Sequence, residues 1–156
     1  MKVIDNVYVV SGVTANSYIL VETDGLTIID TGLPYSEKTI LRYIASKGWS
    51  ARDILRILIT HADLDHYGCL AALQKESEAR TYASWDEAKA IAEGQSSRPL
   101  DRKGNNTLQR LLIAFFSRIL KATPFQVDEI LSEGQTLPVL GGLQVVETPH
   151  HVVFDH

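Results

Sequence analysis

A nearly unbroken apolar run, Ile54 to Thr60, ends abruptly in His61-Ala62-Asp63-Leu64-Asp65-His66, and no other feature constrains this chain so strongly. The run suits a strand buried on both faces, so the polar cluster hangs off a rigid strand end. Imidazole nitrogens and carboxylate oxygens hold zinc at about 2.0 to 2.2 Å, and a first-row metal needs three or more of them converging. Four potential ligands, His61, Asp63, Asp65 and His66, fall within this six-residue stretch. In an extended segment positions 61, 63 and 65 point one way and 66 another, so two adjacent metals fit one loop. Taken singly, each residue reads as part of a solvated strand-to-helix loop in which Asp63 or Asp65 caps the next helix. Taken together, they read as metal binding.

The surroundings of the cluster alternate strands with helices. Val3 to Val10, Tyr18 to Glu22 and Leu26 to Ile29 read as three short antiparallel strands, separated at Ser11-Gly12 and Asp24-Gly25. The third runs into Asp30-Thr31-Gly32-Leu33-Pro34, which puts Asp30 at a strand's C-terminal end. Ser36 is placed to cap a helix that presents Ile40, Leu41 and Ile44 and stops near Gly48. After the cluster come a helix from about Tyr67 to Lys75, a strand near Thr81 to Ala83, and Ser84-Trp85-Asp86-Glu87 as a capping box opening a helix up to Gly94.

Further on, Gln95 to Asn106 reads as a loop, and Leu108 to Leu120 as an amphipathic helix packed on the core or on a second subunit. Strands return around Val127 to Leu131, Leu137 to Val139 and Leu143 to Glu147, with Gly141-Gly142 as a hairpin turn. Trp49 and Trp85 are expected to be packing residues, Trp85 with a chance of touching substrate from its helix start, and Cys69 an ordinary buried residue.

Composition narrows the partners. Fifteen basic residues against nineteen acidic ones give a formal charge of −4, without a Lys/Arg cluster that would track a phosphate backbone, so no nucleic-acid partner is expected. The longest apolar stretch, Leu111 to Phe116, is far short of the roughly 20 residues of a membrane-spanning helix. Met1-Lys2-Val3-Ile4-Asp5-Asn6 does not read as a signal peptide, and one cysteine excludes an intrachain disulfide framework, so the cytoplasm is the expected compartment.

All five histidines lie in two places, the cluster and the tail Thr148-Pro149-His150-His151-Val152-Val153-Phe154-Asp155-His156. With Asn16-Ser17-Tyr18-Ile19-Leu20, Ile28-Ile29-Asp30-Thr31-Gly32, Thr60 to Gly68 and Thr148-Pro149-His150-His151 in this order, the chain resembles the metallo-β-lactamase superfamily, especially its glyoxalase-II-like hydrolases. The resemblance implies an α/β fold, the αββα sandwich, here as its N-terminal half plus the start of the second half. Residues 1–156 would form a single incomplete domain of that type.

Family members read His-x-His-x-Asp-His, followed later by Thr-Pro-Gly-His. By position, the resemblance gives His61 and His151 to a first metal and Asp65 and His66 to a second. Zinc is the first expectation, and Asp63, a carboxylate where a histidine is usual, leaves iron or manganese as alternatives. It further implies hydrolysis of an ester, thioester or lactone by a metal-bound hydroxide, with catalytic Asp65 orienting the water and taking its proton, and Asp30 steadying a ligand from behind.

The family continues well beyond its Thr-Pro-Gly-His, whereas this chain stops five residues after His151 and replaces the glycine by His150. The tail therefore reads as a truncation, with activity impaired and a mononuclear or empty site expected. Apolar surface and sheet edges exposed in that way would lead to a homo-oligomer. A non-catalytic metal-binding or oligomeric interaction module derived from the fold is the alternative to a hydrolase acting on a small-molecule substrate.

Overall fold

A computed structural model of the protein describes residues 1–96 and 121–148. The helix expected over Leu108 to Leu120, most of the Gln95 to Asn106 loop, and His150, His151 and His156 lie outside the described residues. One seven-stranded sheet carries the fold: β1 (Lys2–Ile4), β2 (Val7–Val9), β3 (Tyr18–Val21), β4 (Leu26–Ile29), β5 (Ile54–Leu58), β6 (Arg80–Ser84) and β7 (Glu129–Leu131), in that spatial order. β1 to β4 pair antiparallel, and β4 to β7 pair parallel.

The crossovers between parallel strands are helical: α1 (Glu37–Ser46) before β5, α2 (Leu64–Tyr67) and α3 (Leu70–Ser77) before β6, and α4 (Trp85–Glu93) after β6. A two-stranded ribbon, β8 (Thr136–Leu137) with β9 (Leu143–Gln144), turns through Gly141 and Gly142, both at positive φ.

Successive residues of a strand face opposite sides of the sheet, and here each side has its own core. Ile19, Ile28, Ile57 and Ala83 pack with Ile40 and Ile44 of α1, Leu70 and Leu73 of α3, and Ala88 and Ile91 of α4. Their neighbours Leu20, Leu58, Tyr82 and Leu131 form a second cluster with Leu137 and Val139 from the β8–β9 region. Helices thus cover one face and the start of a second β layer covers the other, which is the expected sandwich begun from its N-terminal side. Among the described residues no helix is long and apolar enough to cross a membrane.

Several expectations are corrected. The span Val3 to Val10 is two strands, not one, because the chain turns at Asn6 (φ 63°), so four antiparallel strands precede the parallel part. β5 is less enclosed than its composition suggests. Leu55 is 36% exposed, and Arg56 lies within the strand, its guanidinium bridged to Asp24 at 2.7 Å and Glu22 at 3.3 Å.

The helix expected from Tyr67 to Lys75 is broken into α2 and α3 at Gly68-Cys69. A Cβ at Gly68 would lie 2.3 Å from the Leu64 carbonyl oxygen and 2.5 Å from Pro34 Cδ, so the loop after Asp30 presses directly on backbone there. Trp49 does pack, edge-on to Tyr8 at 5.7 Å, but Trp85 is 68% exposed and is not a core residue.

The capping box at Ser84 does not form either. Ser84 occupies the N-cap position of α4 without a side-chain cap bond, and the buried Glu87 carboxylate accepts the Ala62 backbone N–H instead. A local pattern has been taken over for a tertiary purpose.

Candidate metal centre

Parallel strands bring their carboxyl ends, and the loops that follow them, to one edge of the sheet. Here β4 ends one residue before Asp30 and β5 ends three before His61, and the two extensions stay in register: Asp30 N–H donates to the Leu58 carbonyl and Ile59 N–H to that of Tyr82, both at 2.9 Å. Asp30 itself sits at φ 59°, a left-handed conformation that aspartate tolerates better than bulkier residues, and its carbonyl is held by Ser17 Oγ at 2.6 Å.

That unusual backbone aims the Asp30 side chain across at β5 and α2. Its Oδ1 accepts Thr60 N–H at 2.9 Å, and its Oδ2 accepts the Thr60 hydroxyl at 2.7 Å and faces His66 Nδ1 at 2.9 Å. The next residue, Thr31, donates both its backbone N–H and its hydroxyl to the His66 carbonyl. Its own carbonyl accepts the Cys69 thiol at 2.9 Å. Gly32 then bridges to Tyr67 at φ 80°. Asp-Thr-Gly is therefore a clamp on α2: Asp30 holds the ring of His66 and Thr31 its backbone.

Electrostatics follow from this packing. The Asp30 hydrogen bond raises the His66 pKa above the usual imidazole value, against the opposing effect of burial. Burial pushes the Cys69 thiol up to about 12, which marks it as an inert packing residue rather than a thiolate ligand.

His61 extends beyond β5, with Nδ1 3.0 Å from Thr60 Oγ1 and Nε2 3.4 Å from Asp63 Oδ2. Asp63 stands at the N-cap of α2, its carbonyl accepting the His66 and Tyr67 N–H groups. Its side chain makes no cap bond; the carboxylate turns to His61 and accepts Ser96 Oγ at 2.6 Å. Asp65 is the most open of the group, its side chain 44% exposed and Oδ1 4.0 Å from His66 Nε2.

One expectation about direction fails: His66 does not point away from His61. The chain is helical from Leu64, and that turn brings the two rings to 3.8 Å between centroids at a 42° tilt.

Two imidazoles and two carboxylates around one strand end suit a first-row divalent cation in kind. In the described residues they stand as two donor pairs, His61 with Asp63 and His66 with Asp65, and no three His, Cys, Asp or Glu side chains there converge as a metal-holding group. His151, the further ligand expected from sequence, lies outside the described residues.

Three side chains that hold this loop were not singled out by sequence. In sequence Thr60 reads as the end of an apolar strand and the first residue of the family-like segment Thr60 to Gly68, without a role of its own, and Ser96 as part of a loop. Glu87 had a signal, the Ser-x-x-Glu spacing, but that spacing points to a local cap.

Comparison with known proteins identifies the family of this fold. The description of the metallo-β-lactamase superfamily matches residues 10–155. Among solved structures, a Cronobacter sakazakii metallo-β-lactamase with a HARLDQ motif superposes with a TM-score of 0.76 at 29% identity, over 96% of this chain and 52% of that one. BJP-1, a subclass B3 metallo-β-lactamase of Bradyrhizobium japonicum, gives 0.74 at 31% identity, over 96% and 51%. MIM-1 from Novosphingobium pentaromativorans gives 0.70 at 26%, over 92% and 48%. This chain thus spans about half the length of the solved chains it resembles. With a match over nearly all of its residues and the same arrangement of strands and helices, the chain belongs to the metallo-β-lactamase superfamily.

Proposed function

We propose that this chain supplies the first metal-binding half of a metal-dependent hydrolase acting on a carbonyl substrate. The observation that carries the reading is the pairing at the sheet edge: each histidine is held at Nδ1 from behind and has an aspartate oxygen beyond Nε2. In this reading His61, Asp63 and His151 hold one cation, and Asp65 and His66 contribute to a second position. Zinc suits the set, and Asp63 in a place where the family has histidine keeps iron and manganese as alternatives.

A cation bound here supplies Lewis acidity, polarising a carbonyl and bringing the pKa of a water to about 7. The residues of this chain supply orientation. Asp30 and Thr60 fix the imidazoles, the carboxylate of Glu87 pins the loop at Ala62, and the open carboxylate of Asp65 is placed to orient a water and accept its proton at Oδ1. Esters, thioesters and lactones are the proposed substrates. The similar solved structures are β-lactamases, which adds strained cyclic amides to the proposed substrates.

The test is elemental analysis and zinc, iron and manganese titration of the wild type and of His61→Ala and His66→Ala, followed by hydrolysis of an aryl ester, a thioester, a lactone and a β-lactam. The reading expects metal bound by the wild type, weakened in both variants, with turnover on at least one substrate that falls at least tenfold in His61→Ala. Failure to bind any of the three metals refutes it. Metal binding with no turnover on any substrate replaces it by the second reading, a non-catalytic metal-binding module, which the open pairs of donors favour.

A further inference from the structure

Thr60 links the two histidines to a single anion. Asp30 is 4% exposed and, as a carboxylate, only accepts hydrogen bonds. Its Oδ2 lies 2.7 Å from Thr60 Oγ1 and 2.9 Å from His66 Nδ1. A hydroxyl has one proton to give. Were it given to His61 Nδ1, a lone pair of Oγ1 would face a carboxylate oxygen at 2.7 Å, two acceptors in contact. Given to Asp30, it leaves Oγ1 with only lone pairs to offer His61 Nδ1 at 3.0 Å, so that nitrogen must carry the ring proton. The same carboxylate requires a proton on His66 Nδ1.

The geometry points to Thr60 as a positioning residue that transmits the charge of Asp30 to His61, so that one buried carboxylate draws the ring proton of both imidazoles to Nδ1, at His61 through a 3.0 Å contact that outweighs the longer 3.4 Å approach of Asp63 Oδ2 to Nε2. The inference rests on the metal reading above for its purpose, and on the hydrogen bonds alone for its content. It assigns the two histidines different dependences. His66 answers to Asp30 directly, whereas His61 answers to Asp30 through a hydroxyl. Thr60 is itself exposed, so valine, of nearly the same shape, removes the hydroxyl without opening a cavity.

The experiment uses metal-free protein with ¹⁵N-labelled histidine, at a pH where both rings are neutral. Two-bond ¹H–¹⁵N correlation spectra then report which nitrogen is protonated, and zinc titration follows on the same samples. Wild type and Thr60→Ser are expected to show both rings protonated at Nδ1. Thr60→Val is expected to move the His61 proton toward Nε2 while His66 keeps its pattern, and to weaken zinc about 10- to 100-fold, with Thr60→Ser restoring wild-type affinity. Asp30→Asn is expected to alter both rings.

An unchanged His61 pattern in Thr60→Val, an equal change in both rings, or unchanged zinc affinity despite the moved proton overturns the assignment. If the wild type binds no zinc, iron or manganese while the spectra behave as expected, the metal reading fails and the proton assignment stands.

Discussion

Replacing Asp30 by asparagine exchanges one oxygen for an amide nitrogen and removes one negative charge, at a side chain only 6% exposed. The backbone does not oppose the change, since asparagine adopts φ 59° at least as readily as aspartate. The amide oxygen takes over the bond from Thr60 N–H, leaving the new NH₂ opposite the Thr60 hydroxyl and His66 Nδ1. The hydroxyl can rotate and accept. His66 cannot, unless its proton moves to the nitrogen that a metal would need.

One hydrogen bond to a charged group is therefore lost outright, a cost of about 1.5–3 kcal/mol, and about 2 kcal/mol is the expected loss of stability for metal-free protein. Urea denaturation followed by circular dichroism measures it. The same change should weaken zinc about 10- to 100-fold, because Asp30 orients His66 from behind. Asp30→Ala should be worse by at least about 1 kcal/mol, since alanine resists the left-handed backbone and also abandons Thr60 N–H. If Asp30→Asn stays within about 0.5 kcal/mol of wild type and binds zinc equally well, the clamp has no energetic weight and the reasoning is wrong.

Other perturbations separate the parts of the site. Glu87→Ala leaves the buried Ala62 N–H without its carboxylate and should cost about 1–3 kcal/mol in urea denaturation, whereas Glu87→Gln keeps an acceptor and should recover most of it; equal losses would contradict the loop-pinning role. Gly68→Ala puts a Cβ 2.3 Å from the Leu64 carbonyl oxygen and should destabilise by about 1–3 kcal/mol, and a neutral result would show that Pro34 does not press on this turn. The Cys69 thiol stays protonated in the folded chain to about 12 but ionises near 9.0 when unfolded, so its stabilisation is complete below 9.0 and is lost as pH rises from there to about 12. Between about pH 8.5 and 10.5 the wild type should lose about 2 kcal/mol more than Cys69→Ala, and parallel losses would refute the shift.

Local rules made much of this chain legible before any coordinate. Period-two alternation marked the strands, the face Ile40, Leu41 and Ile44 marked α1, and a strand ending at Asp30 and another running into His61 put the polar residues at one edge. The clustering of two histidines and two aspartates in six residues identified the chemistry, since no local structure needs four such groups together.

What the sequence left undecided were choices between equally good local and distant partners. Ser84 and Glu87 have the spacing of a helix cap, but the carboxylate gains more from a buried N–H at Ala62 than from a cap that water can replace. The break at Gly68 follows from contact with Pro34, thirty-four residues earlier in the chain. His66 turns onto His61 because α2 starts at Leu64, under the clamp of Asp30 and Thr31. Sequence thus determined which groups are present and on which strand ends. Which proton faces which lone pair was decided only by tertiary structure, because a hydrogen bond depends on tenths of an ångström between segments that the chain order does not relate.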